Sequence, residues 1–372
     1  MWTLSWLAPS ETFIRNQTDA LSRWSPVPMG LWRTESCLTR SSDTALYAPA
    51  ALNRLTKLGH TIGFSPRVEK AVARAAPDVI HAQFGYSAWP VLRAAHKAGV
   101  PLVVTLHGLD ISALTRQRGW RGHSYRWRLR KVFKRAAVIV AVSTFIRDEA
   151  LRHGAPPERT VVHHVGVPTR DVRPERKDID VLFVGRLTEK KGVADLFDAL
   201  EQVQRAGFDR FVVVGSGPME QQLRQKAAAL GLGVEFTGLL DPAQVDEHMA
   251  KARLLAVPSH TAASGDAEGF GMVVLEAGLH EVPAVGYRHG GLVEAVVDGV
   301  TGLLVPERDT NALASAMVEL LEDDVRREQL GRAARLRVLR EFDIEQQSAL
   351  LEELYDQAVG ISRRGSSRRG SS

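Results

Sequence analysis

Short apolar runs alternate with amphipathic stretches along most of the chain. In the first half Val79-Ile80, Leu102-Val103-Val104 and Val138-Ile139-Val140-Ala141-Val142 are apolar runs of strand length, each followed by polar or small residues and then a helical pattern. Strands covered on both faces read this way, so the pattern predicts parallel strands joined by helices. A last strand of this half is expected over 160–167, ending in Gly166-Val167-Pro168. The stretch 169–178 is charged, holds Pro174 and has no apolar periodicity, which reads as a linker. The pattern then restarts with Val181-Leu182-Phe183-Val184. Val193, Leu196, Phe197, Leu200 and Val203 follow at helical spacing. Further strands are expected at 211–214, 234–236 and 254–257. Helices are expected over 218–230, 242–252, 271–279 and 309–341, with a last one at 344–358 carrying Leu350, Leu351 and Leu354.

The expected fold class is therefore α/β, with two doubly wound, Rossmann-like domains facing a central cleft. The chain of 372 residues is long enough for two such cores. The domains are expected at 1–168 and 179–342, joined by the linker 169–178. A C-terminal helix at 343–360 is expected to pack back toward the N-terminal domain. The tail 361–372, rich in Arg, Gly and Ser, is expected to be disordered.

Charge changes the picture in two places. Segment 116–135 carries nine basic residues and no acidic one, and the tail carries Arg363, Arg364, Arg368 and Arg369. Removing these thirteen cations from a net charge of +5 leaves the rest of the chain acidic, at −8. Two local patches do not make the basic face a nucleic-acid binder needs, and none is expected. Segment 116–135 also holds Trp120, Tyr125, Trp127 and Phe133, with Leu129, Val132, Phe133 and Ala136 at helical spacing. It reads either as a scaffold helix with a solvated basic face or as a peripheral contact with anionic lipid or a lipid-diphosphate acceptor. The single cysteine, Cys37, precludes an internal disulfide and fits a reducing compartment. No apolar run is long enough to span a bilayer, and the N-terminal residues lack the pattern of a secretory leader.

The candidate chemistry lies in the second half. Glu268-Gly269-Phe270-Gly271-Met272-Val273-Val274-Leu275-Glu276 sets one carboxylate in a glycine turn and a second on the following helix. Gly269 and Gly271 let a ligand approach the backbone, and a helix starting at Gly271 and Met272 points free N–H groups at it, which suits a diphosphate. Glu276, one turn inside, is placed to accept hydrogen bonds from a ribose diol. Gly185-Arg186-Leu187-Thr188-Glu189-Lys190-Lys191-Gly192 leaves a strand and enters a helix, so Arg186 and Lys191 could hold two phosphates. Taken alone, each stretch also reads as solvated surface charge.

Together these elements resemble the donor domain of the family 4 glycosyltransferases. The resemblance runs from about 181 to 310 and includes Gly215-Ser216-Gly217-Pro218, Pro258-Ser259, Gly290-Gly291-Leu292-Val293-Glu294 and Asp298-Gly299-Val300-Thr301-Gly302. In the first half, Pro9-Ser10-Glu11-Thr12-Phe13-Ile14 is similar to an opening motif of bacterial exopolysaccharide glycosyltransferases. His81-Ala82-Gln83-Phe84-Gly85 and Thr105-Leu106-His107-Gly108-Leu109-Asp110 also have counterparts. The first strand departs from the family pattern: it is short, and no glycine pair follows it.

The resemblance implies the two-domain GT-B fold, with an acceptor domain followed by a nucleotide-sugar domain. It implies transfer of a hexosyl group from a nucleoside-diphosphate sugar to a glycan or lipid-linked acceptor, with retention of configuration. The expected cofactor is none and the expected metal is none. Arg186, Lys191, Gly271 and Met272 are then expected at the diphosphate. Glu268, Gly269, Phe270 and Gly271 are expected at the sugar, Glu276 at the ribose, and His107 at the reacting sugar. Ser10, Glu11 and Asp110 are assigned to the acceptor side. An epimerase or hydrolase of sugar nucleotides on the same fold is the alternative. Asp178-Ile179-Asp180 has the spacing of a metal-holding pair but lies at the linker's end. The expected location is cytoplasmic, peripheral at the inner face of the cell membrane.

Overall fold

A computed structural model describes residues 1–8, 11–34, 36–48, 63–169 and 175–362 with their side chains, and the backbone of 363–367. The chain divides into two compact units, Met1–Pro168 with Ile344–Ser372, and Thr169–Asp343.

Among the described residues the first unit is built on seven strands: β1 (Trp2–Trp6), β2 (Met29–Arg33), β3 (Thr44–Ala45), β4 (Ile80–Gln83), β5 (Leu102–Leu106), β6 (Val138–Ala141) and β7 (Thr160–Val162). They pair in parallel in the order β3-β2-β1-β4-β5-β6-β7. The short first strand occupies a central position, and Trp2 and Trp6 are buried in the core. Two departures from the pattern have physical reasons. Strands β2 and β3 escape the hydrophobic pattern because one is the mixed run Met-Gly-Leu-Trp-Arg and the other has two residues. Strand β7 stops at Val162, because its partner β6 ends at Ala141, whose carbonyl accepts the last bond from the His163 N–H at 3.0 Å.

The second unit is built on β8 (Ile179–Val184), β9 (Phe211–Val214), β10 (Val234–Gly238), β11 (Ala252–Val257), β12 (Ala284–Tyr287) and β13 (Gly302–Val305). They are also parallel, in the order β10-β9-β8-β11-β12-β13. The apolar stripe Leu196, Phe197, Leu200 and Val203 of the helix Val193–Arg205 packs against Val181, Phe183 and Val213 in one buried core. The helix expected over 309–341 is two helices, Thr310–Glu322 and Asp324–Glu341. Asp323 breaks the run, since its carboxylate accepts the Arg326 N–H at 2.9 Å and starts the second helix.

The helix from Ile344 belongs to the first unit. Leu351, Tyr355 and Ala358 share a buried cluster with Val103, Val138 and Val140 of its sheet. Glu352, fully buried, accepts the N–H groups of Ser22, Arg23 and Trp24 at 2.8, 2.7 and 3.0 Å. Burial alone would raise this carboxyl, but the three amides and the Arg23 guanidinium outweigh it and hold the pKa below the ordinary value. Its stabilising effect is therefore present above the ordinary carboxylate range and lost as pH falls. Replacing Glu352 by Ala removes its hydrogen bonds to those amides, an expected loss of about 2 kcal/mol for bonds to a charged group. Hydrogen exchange should then quicken across Ile344–Ile361 and residues 21–24 while the second unit's strands exchange as before. Unchanged protection in both segments would refute this role.

Candidate active site

In the second unit the chain adds β9 and β10 on one side of β8, then returns to add β11, β12 and β13 on the other. The order reverses between β8 and β11, and open α/β sheets take ligands outside the carboxyl ends of strands at such a reversal. Both candidate loops start there: Gly185–Gly192 leaves β8, and Pro258–Gly271 leaves β11.

The two loops are tied together by charge. Lys191 Nζ lies 2.6 Å from Glu268 Oε2, and Ser259 Oγ donates to the same oxygen at 3.4 Å. Lys190 Nζ pairs with Asp266 at 3.2 Å, and the Glu189 carboxylate accepts the Ala263 N–H at 2.9 Å. The His260 N–H donates to the Lys190 carbonyl at 2.9 Å. Burial works to raise the Glu268 pKa, but Lys191 and then Lys190 prevail and bring it down to about 2. The carboxylate is thus ionised at neutral pH.

The backbone around Glu268 is shaped by glycine. Gly271 has φ +96° and begins the helix Met272–Leu279, a conformation L residues rarely adopt. Gly291 donates its N–H to the Glu268 carbonyl at 3.0 Å, and a Cβ there would lie 2.0 Å from the Gly269 carbonyl oxygen. Phe270 turns its ring inward onto Phe342, centroids 5.5 Å apart, so its backbone alone can face a ligand. Glu276 is half-buried in the second turn of the helix. Arg186 is exposed and forms no ion pair among the described residues. Asp180, the second acid of the Asp178–Asp180 pair, is committed elsewhere: it binds Arg253 at 3.0 Å and accepts the N–H groups of Asp209 and Arg210 at 3.2 and 3.1 Å.

The first unit reverses in the same way between β1 and β4. Glu11 follows β1 and accepts the Ala8 N–H at 2.9 Å; burial raises its pKa. Ser10 lies outside the described residues. His107 follows β5, and its ring lies 4.8 Å from that of Phe13 and 4.6 Å from that of Phe84. Phe84 holds φ +71°, a strained value for a non-glycine residue. Asp110, assigned to the acceptor side by the motif, has its carboxylate on backbone N–H groups of its own turn and of Gly85, which follows β4. It is fully buried and accepts the N–H groups of Gly85, His107 and Gly108 at 2.7, 3.1 and 3.0 Å. Its work is to hold the turn that carries His107.

Comparison with known proteins bears on this arrangement. Residues 169–337 match the model for glycosyl transferases group 1, and residues 28–166 match that for the glycosyl transferase 4-like domain. A GDP-mannose-dependent alpha-(1-6)-phosphatidylinositol monomannoside mannosyltransferase of Mycolicibacterium smegmatis is 32% identical over 279 residues, 70% of this chain and 71% of that protein. The chain belongs to the family 4 glycosyltransferases. The putative colanic acid biosynthesis glycosyltransferase WcaL of Salmonella typhimurium is 30% identical over 60% of this chain, a match that spans little more than half of WcaL, 56%. The crystal structure of Anabaena HepE with UDP and glucose superposes with a TM-score of 0.75 at 21% identity, covering 95% of this chain and 98% of that one. The fold is GT-B.

In this glycosyltransferase, sequence reasoning passed over Lys190, Asp266 and Gln83. Lys190 stands in the same loop as Lys191 and was overshadowed by it. Asp266 sits two residues before Glu268, and only the folded loop shows its partner. Replacing Lys191 by Met removes the largest charge opposing burial at Glu268. The Glu268 carboxyl is expected to rise from about 2 into or above the ordinary range near 4.3. In the wild type this depressed carboxyl stabilises the unit above that range and ceases to do so as pH falls toward 2. Carboxyl carbon NMR titration is the check; a variant carboxyl still titrating below 3 would contradict the assignment.

Proposed function

We propose that this enzyme transfers a hexosyl group from a nucleoside-diphosphate sugar to a hydroxyl of a glycan or lipid-linked acceptor, with retention of configuration and without a metal or other cofactor. The observation that carries the reading is the Lys191–Glu268 pair at the strand-order reversal, beside the helix start at Gly271. A diphosphate leaving group gains negative charge while the sugar gains positive charge. Lys191, Arg186 and the N–H groups at Gly271 and Met272 are suited to the first, and the ionised Glu268 to the second. Lys191 has three N–H donors, of which Glu268 takes one. Glu276 is assigned to the ribose and His107 to the transferred sugar. Among the described residues neither unit offers an evident covalent nucleophile, which favours attack by the acceptor on the face from which the diphosphate leaves. The names of two relatives, one for colanic acid and one for a phosphatidylinositol monomannoside, support a glycan or lipid-linked acceptor.

Kinetics separates the two glutamates. Glu276→Gln should raise the donor KM more than it lowers kcat, because the ribose does not change during reaction. Glu268→Gln should lower kcat more, by about tenfold or beyond, because its partner becomes charged only in the transition state. Both are to be assayed in excess EDTA, with and without acceptor. Full kcat in the first-motif variant together with wild-type KM in the helix variant removes the basis for the donor site. Activity that vanishes in EDTA and returns with Mg²⁺ removes metal independence, and product formed without acceptor points to hydrolysis or epimerisation.

The same reading places the enzyme at the inner face of the cell membrane. No helix among the described residues is long and apolar enough to cross a bilayer. The helix Gly119–Arg135 buries Leu129, Val132 and Phe133 against its own unit and turns outward Arg121, Arg130, Lys131 and Lys134. Trp120 and Trp127 stand among them, 73% and 54% exposed. No acidic residue lies between 111 and 135, so the surface complements anionic lipid, each cation contributing about 1 kcal/mol near it. Vesicles containing phosphatidylglycerol should float the enzyme and pure phosphatidylcholine vesicles should not. Trp120→Ala should weaken flotation without altering the melting temperature. Equal recovery on both vesicle types, or on neither, would leave the helix as scaffold.

A further inference from the structure

The polar residues of the first unit's sheet form a stripe on one face. Parallel pairing sets Gln83 beside Thr105, and residues two apart point the same way, so His81, Gln83, Thr105 and His107 share that face. Two hydrogen-bonded lines run along it. In one, Tyr355 Oη and Thr105 Oγ1 each lie 2.6 Å from a ring nitrogen of His81. In the other, Gln17, Gln83 and His107 are joined in series: Gln83 Nε2 lies 2.9 Å from Gln17 Oε1, and Gln83 Oε1 lies 2.7 Å from His107 Nε2.

The second line has a direction. Gln83 Nε2 also lies 3.3 Å from Met1 Sδ, a thioether that can accept but has no hydrogen to give. The amide nitrogen therefore faces Met1 and Gln17, and the amide oxygen faces His107. An amide oxygen can only accept, so the hydrogen must sit on His107 Nε2. Burial keeps this imidazole neutral, with its pKa down at about 3, so Nδ1 carries a lone pair and no hydrogen. Phe13 and Phe84 flank the ring, and Asp110 holds the His107 backbone N–H. Nδ1 has no hydrogen-bond partner among the described residues.

We propose that Gln83 is a positioning residue that fixes His107 as its Nε2–H tautomer, leaving Nδ1 to accept a hydrogen bond from a hydroxyl of the transferred sugar. The sugar half of this rests on the function proposed above; the tautomer half does not. A buried amide suits the task where a carboxylate would not, since an acid there would favour the imidazolium and cancel the acceptor. Substrates lacking that hydroxyl would leave Nδ1 unpaired and be turned over more slowly, which makes the pair a source of specificity.

The test is read first on the ligand-free protein. Long-range ¹H–¹⁵N correlation of histidine-labelled enzyme reports the tautomer of each ring, and His107→Asn identifies the signal. The wild type should show protonated Nε2 and bare Nδ1. Gln83→Leu should give a mixture of tautomers, and Gln83→Glu, which keeps an acceptor in place, should retain the Nε2–H and raise the ring's pKa. A wild-type ring protonated on Nδ1, or an unchanged tautomer in Gln83→Leu, overturns the proposal whatever the substrate proves to be. Turnover supplies the second arm. Gln83→Leu should lower kcat about tenfold with little change in donor KM, as for the loss of one hydrogen bond. It should have less than a twofold effect when His107 is already Ala. Losses that multiply independently would show that Gln83 does not act through His107.

Discussion

Parallel pairing is the constraint on which both units depend. A parallel neighbour cannot be reached by a tight turn, so each strand sends the chain back through a helix. A sheet grown outward in both directions from its first strand must reverse once, and at the reversal the loops part. The chain meets this condition twice, between β1 and β4 and between β8 and β11. Every loop that carries a candidate residue leaves a strand at or next to one of these positions. The chemistry is therefore set on backbone that the sheets hold still, and side-chain identity is what remains for function to choose.

Burial and charge oppose each other where that choice matters most. Glu268 is nearly enclosed, and burial alone would keep it protonated; Lys191 and Lys190 turn the balance. His107 shows the reverse outcome. No acid is paired with its ring among the described residues, so burial prevails and the ring stays neutral. One unit thus holds a fixed charge and the other a fixed dipole, each from the same desolvation penalty, with neighbours deciding its sign. Asp110 belongs to neither: its buried oxygens are taken up by two amides of its own turn and by the amide of Gly85, which follows β4.

Much of the fold was legible because buried parallel strands are continuous apolar runs, and Leu102-Val103-Val104 or Phe211-Val212-Val213-Val214 admit few other readings. Where glycine stands inside a short run, as Gly286 does in Ala284–Tyr287, or opens one, as Gly302 does in Gly302–Val305, the apolar pattern does not show the strand. The boundary inside 309–341 was hidden because Asp323 caps through a local hydrogen bond that periodicity does not register. In the candidate site, the local placement of residues on one stretch is legible: Glu268 and Gly271 in a turn with Glu276 on the following helix, and Arg186 and Lys191 in the loop after a strand. Partnerships between distant stretches are not. That Lys190 meets Asp266, or that Gln83 meets His107, depends on strand register and loop path, and neither pair is close in sequence.

The return of the last helix to the first unit has a consequence for the order in which the protein is made. Leu351, Glu352, Tyr355 and Ala358 supply core and hydrogen bonds to a unit whose other residues lie within the first 168. The ribosome therefore releases most of the first unit early, but the pieces that complete it come last. The second unit is contiguous, Thr169 to Asp343, and its two ends meet through a 2.8 Å hydrogen bond between the Thr169 hydroxyl and the Asp343 carboxylate. During synthesis it is the unit that can finish first, while the one begun before it waits with an open flank over Val103, Val138 and Val140.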